Sequence, residues 1–174
     1  HWIQDPRPWS EWLEIQTVKL FPENSYWSSS LYDSVNKLYG KGLVTFVSQG
    51  YFLNDKAIEL YRLPGDAPIA YMPNPIDIDY GFDPESYPKK NHILFIGRIE
   101  SIKRGWLFCE IAKQLPQYEF FMLGQTFREK SQNESIMAGY RDIPNLHFVG
   151  HVEGEEKMKY IREAKILVNT SIHE

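Results

Sequence analysis

Apolar positions change their period along the chain, and each period marks an element. Residues 28–39 place Leu31, Val35, Leu38 and Tyr39 at helical spacing, and Gly40 follows as a stop. Residues 43–47 are β-branched and aromatic and predict a strand, with a turn at Ser48-Gln49-Gly50. Residues 54–63 predict a helix that Pro64-Gly65 ends, and 69–72 a short strand before Pro73-Asn74-Pro75. Upstream, Pro6 and Pro8 break any helix, while Ser10 is a candidate N-cap for a helix over 10–19 that Pro22 closes off.

Residues 77–91 interrupt this pattern. They carry acids, Gly81, Pro84 and Pro88 without an apolar period, and they read as a linker. Beyond them the alternation becomes regular. The run HILFIG at 92–97 is nearly all apolar, as in a strand covered on both faces. A helix is predicted over 106–115, with Leu107, Phe108, Ile111, Ala112 and Leu115 on one face. Strands follow at 119–124, 146–149 and 165–169, and an amphipathic helix at 154–164 turns Met158, Ile161 and Ala164 inward. Residues 125–143 are polar and predict a helix within a long loop. Strands alternating with helices imply a parallel α/β sheet.

Length narrows the organisation. At ~150 residues per domain, 174 residues make one domain or two incomplete ones. The sequence has no initiator Met, and it reads as an internal piece of a longer chain. Nineteen Lys and Arg against 23 Asp and Glu give a net charge of −4, which argues against a general nucleic-acid binder but allows a local anion pocket. A lone Cys109 excludes an internal disulfide and a Cys-based zinc site. No apolar run reaches the ~18 residues of a membrane span, and HWIQDPRPW does not resemble a signal peptide, so the default compartment is the cytosol.

Ligands of open parallel sheets bind at the carboxyl ends of the strands. After the strand at 92–97 come Gly97-Arg98 and then Lys103-Arg104-Gly105, leading into a helix. Gly97 admits close approach to the backbone, Arg98 can grip two phosphate oxygens, Lys103 adds a point charge, and the helix start offers N–H groups. The loop reads as a diphosphate cradle or as an ordinary solvated loop. Neither a Walker A loop nor a dinucleotide glycine fingerprint is present. After the last strand come Thr170-Ser171-Ile172-His173-Glu174, where a carboxylate suits sugar hydroxyls or simply a solvated turn. Asp77-Ile78-Asp79 has a metal-binding pattern, but its place in the linker favours a turn. Asn133 and Asn169 begin glycosylation sequons that matter only for a secreted chain. His92, His147 and His151 flank strands and read as packed or solvated. Trp2, Trp9 and Trp12 suit packing more than stacking on sugars.

Four segments, in order, carry a family resemblance. They are FVSQGYF (46–52) with MPNPIDI (72–78), ILFIGRIESIKRGWLF (93–108), NLHFVGHVEGEEKMKYIREA (145–164) and ILVNTSIHE (166–174). Together they resemble glycosyltransferase family 4, retaining enzymes of the GT-B fold. The resemblance covers roughly residues 43–174. It implies an α/β, GT-B-like chain made of parts of two Rossmann-like domains with parallel sheets. Residues 1–80 would be the back of the acceptor-side domain, 81–91 a linker, and 92–174 the front of the donor-side domain.

The resemblance also implies a reaction: a hexosyl unit passes from a nucleotide-diphosphate sugar to a glycan or lipid-linked acceptor, with retention and without a metal or other cofactor. Arg98, Lys103 and Glu174 match the family's catalytic positions. Gly97, Arg98, Lys103, His173 and Glu174 match its donor-binding ones. Polysaccharide biosynthesis is the family's usual setting, which allows peripheral contact with the inner membrane face, and no nucleic-acid partner is implied. The family's second acid would lie beyond Glu174, so this piece alone is expected to be inactive. Two alternatives stand beside the transferase: a non-catalytic α/β module that binds a nucleotide or glycan, and a GT-B-fold sugar-nucleotide epimerase.

Overall fold

The longest uninterrupted apolar runs of the sequence become the central strands of a parallel sheet. The computed structural model describes residues 2–3, 29–78, 80–126 and 130–171. The helix expected over 10–19, the tryptophans at 9, 12 and 27, Asp79, His173 and Glu174 lie outside the described residues. Those described fall into two compact units that divide after residue 79.

In the first unit, strands β1 (Trp2–Ile3), β2 (Phe46–Ser48) and β3 (Ile69–Tyr71) form a parallel sheet in that order. Helices α1 (Ser29–Tyr39) and α2 (Asn54–Tyr61) supply its cover. Its core is Val35, Phe46, Leu53, Ala57, Tyr61 and Leu63, with Phe46 fully buried between the rings of Tyr39 and Tyr61. The strand expected at 43–47 begins three residues late, for a local reason. Gly42 takes a φ of +69°, and the amides of Gly42 and Leu43 turn back to Tyr39 O and Leu38 O. Leu43 therefore caps α1 instead of entering the sheet.

The second unit has strands β4 (His92–Ile96), β5 (Glu119–Leu123), β6 (Leu146–Gly150) and β7 (Ile166–Leu167). Between them run α3 (Gly105–Gln114), α4 (Lys130–Ala138) and α5 (Gly154–Glu163). All pairings are parallel, and the spatial order is β6-β5-β4-β7. The strand period of two sorts side chains to opposite faces. Ile93, Phe95, Phe120, Met122 and Leu146 join Phe108, Cys109 and Ala112 of α3 and Met137 of α4. Leu94 and Leu123 face the other way with Ala164 and Tyr160. Both faces are thus covered, as the continuous apolar run at 92–97 requires.

Most of the stretch read from the sequence as a linker, residues 82–91, packs on the rest of the second unit. Phe82 stacks on Tyr87, Arg162 lies over the Tyr87 ring, and Lys90 pairs with Glu163 at 2.8 Å. The amide of Lys90 donates to Glu163 O, and Lys165 N to His92 O, which sets the edge of the sheet.

Candidate functional site

The order β6-β5-β4-β7 reads third, second, first, fourth in the unit's own strand sequence. Chain direction around the sheet reverses between β4 and β7, and a crevice opens at such a switch point, at the strands' carboxyl ends. Every residue of the sequence-derived cradle that the structure describes lies at that edge.

Three neighbouring strands end in the same way, with a glycine and then a polar residue: Gly97-Arg98, Gly124-Gln125 and Gly150-His151. The three strand ends are joined by Gly97 N donating to Leu123 O at 3.0 Å and Gly124 N to Gly150 O at 2.7 Å. Gly124 has a φ of +140°, and a Cβ there would lie 1.8 Å from Gly97 O. No side chain fits between these two backbones. A bulge in β6 pairs Leu123 with Gly150 instead of Val149 and re-aims the end of that strand. The result is a cavity of about 470 Å³ lined by Gly97, Arg98, Gly124, Gln125, His151, Val152, Glu153 and Lys157. Three nitrogen bases and one carboxylate share its wall. His151 Nε2 is 2.9 Å from Glu153 Oε1.

Arg98 is half-exposed on this rim, and its Nη1 is 3.4 Å from Oε1 of the buried Glu100. Glu100 begins the turn that leads to α3, its carbonyl accepting from Lys103 N at 3.1 Å. Lys103 lines a different, smaller concavity of about 160 Å³, with Phe95, Ile96, Asn169 and Ser171 around it. Arg98 and Lys103 thus flank the carboxyl end of β4 on its two sides, one toward β5 and one toward β7. Gly97 sits between the strand ends, and its close approach is to Gly124.

Gln125, Glu153 and Lys157 line the larger cavity without having stood out in the sequence, and His151, read there as packed or solvated, lines it too. The repeated apolar-Gly-polar ending (FIGR, MLGQ, FVGH) is the signal that finds Gln125 and His151 beside Arg98.

Other candidates fall elsewhere. His92 and His147 flank the Phe121 ring at 4.6 and 4.7 Å, toward the amino ends of their strands. Burial and the Lys90 charge lower the His92 pKa, and the uncharged ring suits its packing. Burial pushes the Cys109 thiol up to about 12, which removes it as a nucleophile at neutral pH. Among the described residues no cluster of His, Cys, Asp and Glu is placed to hold a metal, and no helix is long and apolar enough to cross a membrane.

No protein-family model and no curated protein matches the sequence. Solved structures do match. Over 86% of its length the chain is similar to a glycosyltransferase from Rickettsia africae, with a TM-score of 0.59 and 18% identity, covering 43% of that protein. Over 90% it is similar to TarM, known from S. aureus, with a TM-score of 0.60 and 16% identity, covering 30% of TarM. Over 83% it is similar to the pneumococcal O-GlcNAc transferase GtfA, solved with UDP and GlcNAc, with a TM-score of 0.58, 19% identity and 29% of GtfA covered. The chain spans less than half the length of each. The fold is α/β and GT-B-like, with parallel sheets in Rossmann-like halves.

Proposed function

We propose that this chain is part of a metal-independent, retaining glycosyltransferase of family 4, which moves a hexosyl unit from a nucleotide-diphosphate sugar to a glycan or lipid-linked acceptor. The observation that carries this reading is the placement of Arg98 and Lys103 on either side of the carboxyl end of β4, at the switch point of a GT-B-like sheet. Residues 92–174 would hold the donor and residues 1–80 would belong to the acceptor side. GtfA, solved with UDP and GlcNAc, and the similarly folded Anabaena HepE, solved with UDP and glucose, lend the donor class its support.

The chemistry follows from charge. Breaking the bond between sugar and diphosphate leaves negative charge on the departing phosphate oxygens. Fixed cations at that place lower the barrier, since they gain more from the transition state than from the ground state. Arg98 offers a planar fork and Lys103 a point charge, so together they do what a divalent metal would otherwise do. The cavity of about 470 Å³ has the size of a small-ligand site and would take the nucleoside. Glu174, with His173 beside it, would meet the sugar.

The test is nucleoside diphosphate release by the full-length protein from a panel of sugar nucleotides. One donor is expected to be turned over. Arg98→Ala and Lys103→Ala should each raise the barrier by at least ~2 kcal/mol, about thirtyfold in rate. Binding without release would favour the non-catalytic nucleotide-binding module. Neither binding nor release would overturn the reading.

A further inference from the structure

Next to Lys103 stands a second cation, and its hydrogen bonds give it a different task. Arg104 Nε donates to Thr170 O at 2.7 Å, and Nη2 reaches Ser171 O at 3.5 Å. Thr170 answers from the other side. Its Oγ1 donates to Lys103 O at 2.7 Å and shares that proton with Arg104 O at 3.1 Å. Thr170 is only 6% exposed. Arg104 itself has φ 46° and ψ 43°, a left-handed conformation that residues with a side chain seldom take. That conformation sits at the junction between the loop after β4 and the start of α3, at the foot of the reciprocal tie.

The tie crosses the switch point. It joins the loop after β4 to the segment after β7, 66 residues further along the chain. Those two segments supply Lys103 on one side and Asn169 and Ser171 on the other to a single concavity. A charge placed for a phosphate would keep its N–H groups for the ligand. Here the guanidinium is directed at two consecutive backbone carbonyls, which need its fork geometry more than its charge.

We propose that Arg104 and Thr170 are positioning residues. They clamp the segment after β7 against the Lys103 loop, and so hold in register the two walls of the donor pocket. The inference rests on the donor-site reading above for its kinetic consequence, though not for the clamp itself.

The test uses the full-length protein and four variants: Arg104→Lys, Arg104→Met, Thr170→Val and Thr170→Ser. Amide hydrogen exchange in peptides spanning 165–171 reads the clamp without any substrate. Exchange there should speed up by about tenfold or more in Arg104→Lys, Arg104→Met and Thr170→Val, stay near wild type in Thr170→Ser, and remain unchanged in β5. Kinetics read the consequence. The first three variants should lose roughly tenfold to a hundredfold in kcat, with donor KM moved far less, and Thr170→Ser should restore the rate that Thr170→Val loses. Should Arg104→Met unfold the unit, Thr170→Val removes the same tie from the other side and decides the matter. Wild-type behaviour in Arg104→Lys would overturn the proposal by showing that charge alone suffices. A raised donor KM at unchanged kcat would overturn it too, by making Arg104 a donor ligand. If the wild type turns over no sugar nucleotide, the transferase reading fails, and the exchange data alone decide the clamp.

Discussion

The two units use the same parallel α/β plan and differ in how their strands end. Strands β4, β5 and β6 are five residues long and end in glycine followed by Arg, Gln or His. Strands β2 and β3 are three residues long; Tyr51 and Phe52 follow soon after β2, and Tyr71 ends β3. Tyr51 is 70% exposed, Phe52 is 73% exposed, and Tyr51 stacks on Tyr71 with centroids 4.5 Å apart. Strand length explains much of the contrast. A five-residue strand presents side chains to both faces and can be covered on both, so the second sheet builds one core on each face. A three-residue strand buries little beyond one central ring, here Phe46. Such an edge would suit the proposed diphosphate site, since a cation held out of place stabilises no transition state.

The largest effects would come from breaking the cores. Phe108 is fully buried and lies 5.5 Å from the Phe95 ring and 5.2 Å from the Phe120 ring, centroid to centroid. Phe108→Ala should cost about 3–5 kcal/mol, and Phe46→Ala about the same in the first unit. The smaller core has fewer contacts to share the loss. Hydrogen exchange resolved by unit should show Phe46→Ala opening the first unit entirely, while Phe108→Ala leaves a weakened but folded second unit. Equal global opening in both variants would mean that the two units fold as one.

Gly124→Ala tests the strand-end geometry instead. The new methyl would meet Gly97 O in a backbone conformation that disfavours it, so the ends of β4 and β5 would have to part. The expected loss is about 3 kcal/mol, read from the urea midpoint, together with loss of the nucleotide binding proposed above. A stable, binding-competent Gly124→Ala would show that the edge is more plastic than the packing implies.

Much of this was legible in the sequence because the signals were local. The run at 92–97 became β4, and the pattern at 106–115 became α3 with a shift of one residue. Arg98 and Lys103 stand out in the sequence because a glycine, a cation and a helix start are neighbours in the chain, and the fold sets both beside the end of β4. What escaped depends on backbone choices that residue type does not announce. The helix expected to run to 63 stops at Tyr61, because Arg62 takes φ 53° and Leu63 N turns back to Ile58 O. An arginine in the left-handed region gives no warning, as glycine would. Arg104 repeats the case: its neighbours suggest a phosphate cation, and only the folded chain brings Thr170 O to its Nε. The strand order, which creates the switch point, is likewise a long-range property.

The smallest effect is also the sharpest comparison, because in each unit burial strongly weakens one acid among the described residues. Burial raises the Cys109 thiol in the second unit from 9.0 to about 12, and burial followed by the nearby Tyr32 raises the Tyr61 phenol in the first from 10.0 to about 12. In both cases the folded state keeps a proton that the unfolded state gives up sooner. Between the unfolded and folded values the unfolded state therefore binds fewer protons, and stability falls as pH rises. The second unit should begin to weaken above pH 9.0 and the first only above 10.0, each by about 1.4 kcal/mol per pH unit. Urea midpoints measured from pH 8 upward should show the second unit failing first. Cys109→Ala should abolish the earlier slope and Tyr61→Phe the later one, each without touching the other. If both slopes persisted in both variants, alkaline weakening would belong to the exposed lysines and tyrosines at large, and the two buried acids would not distinguish the units.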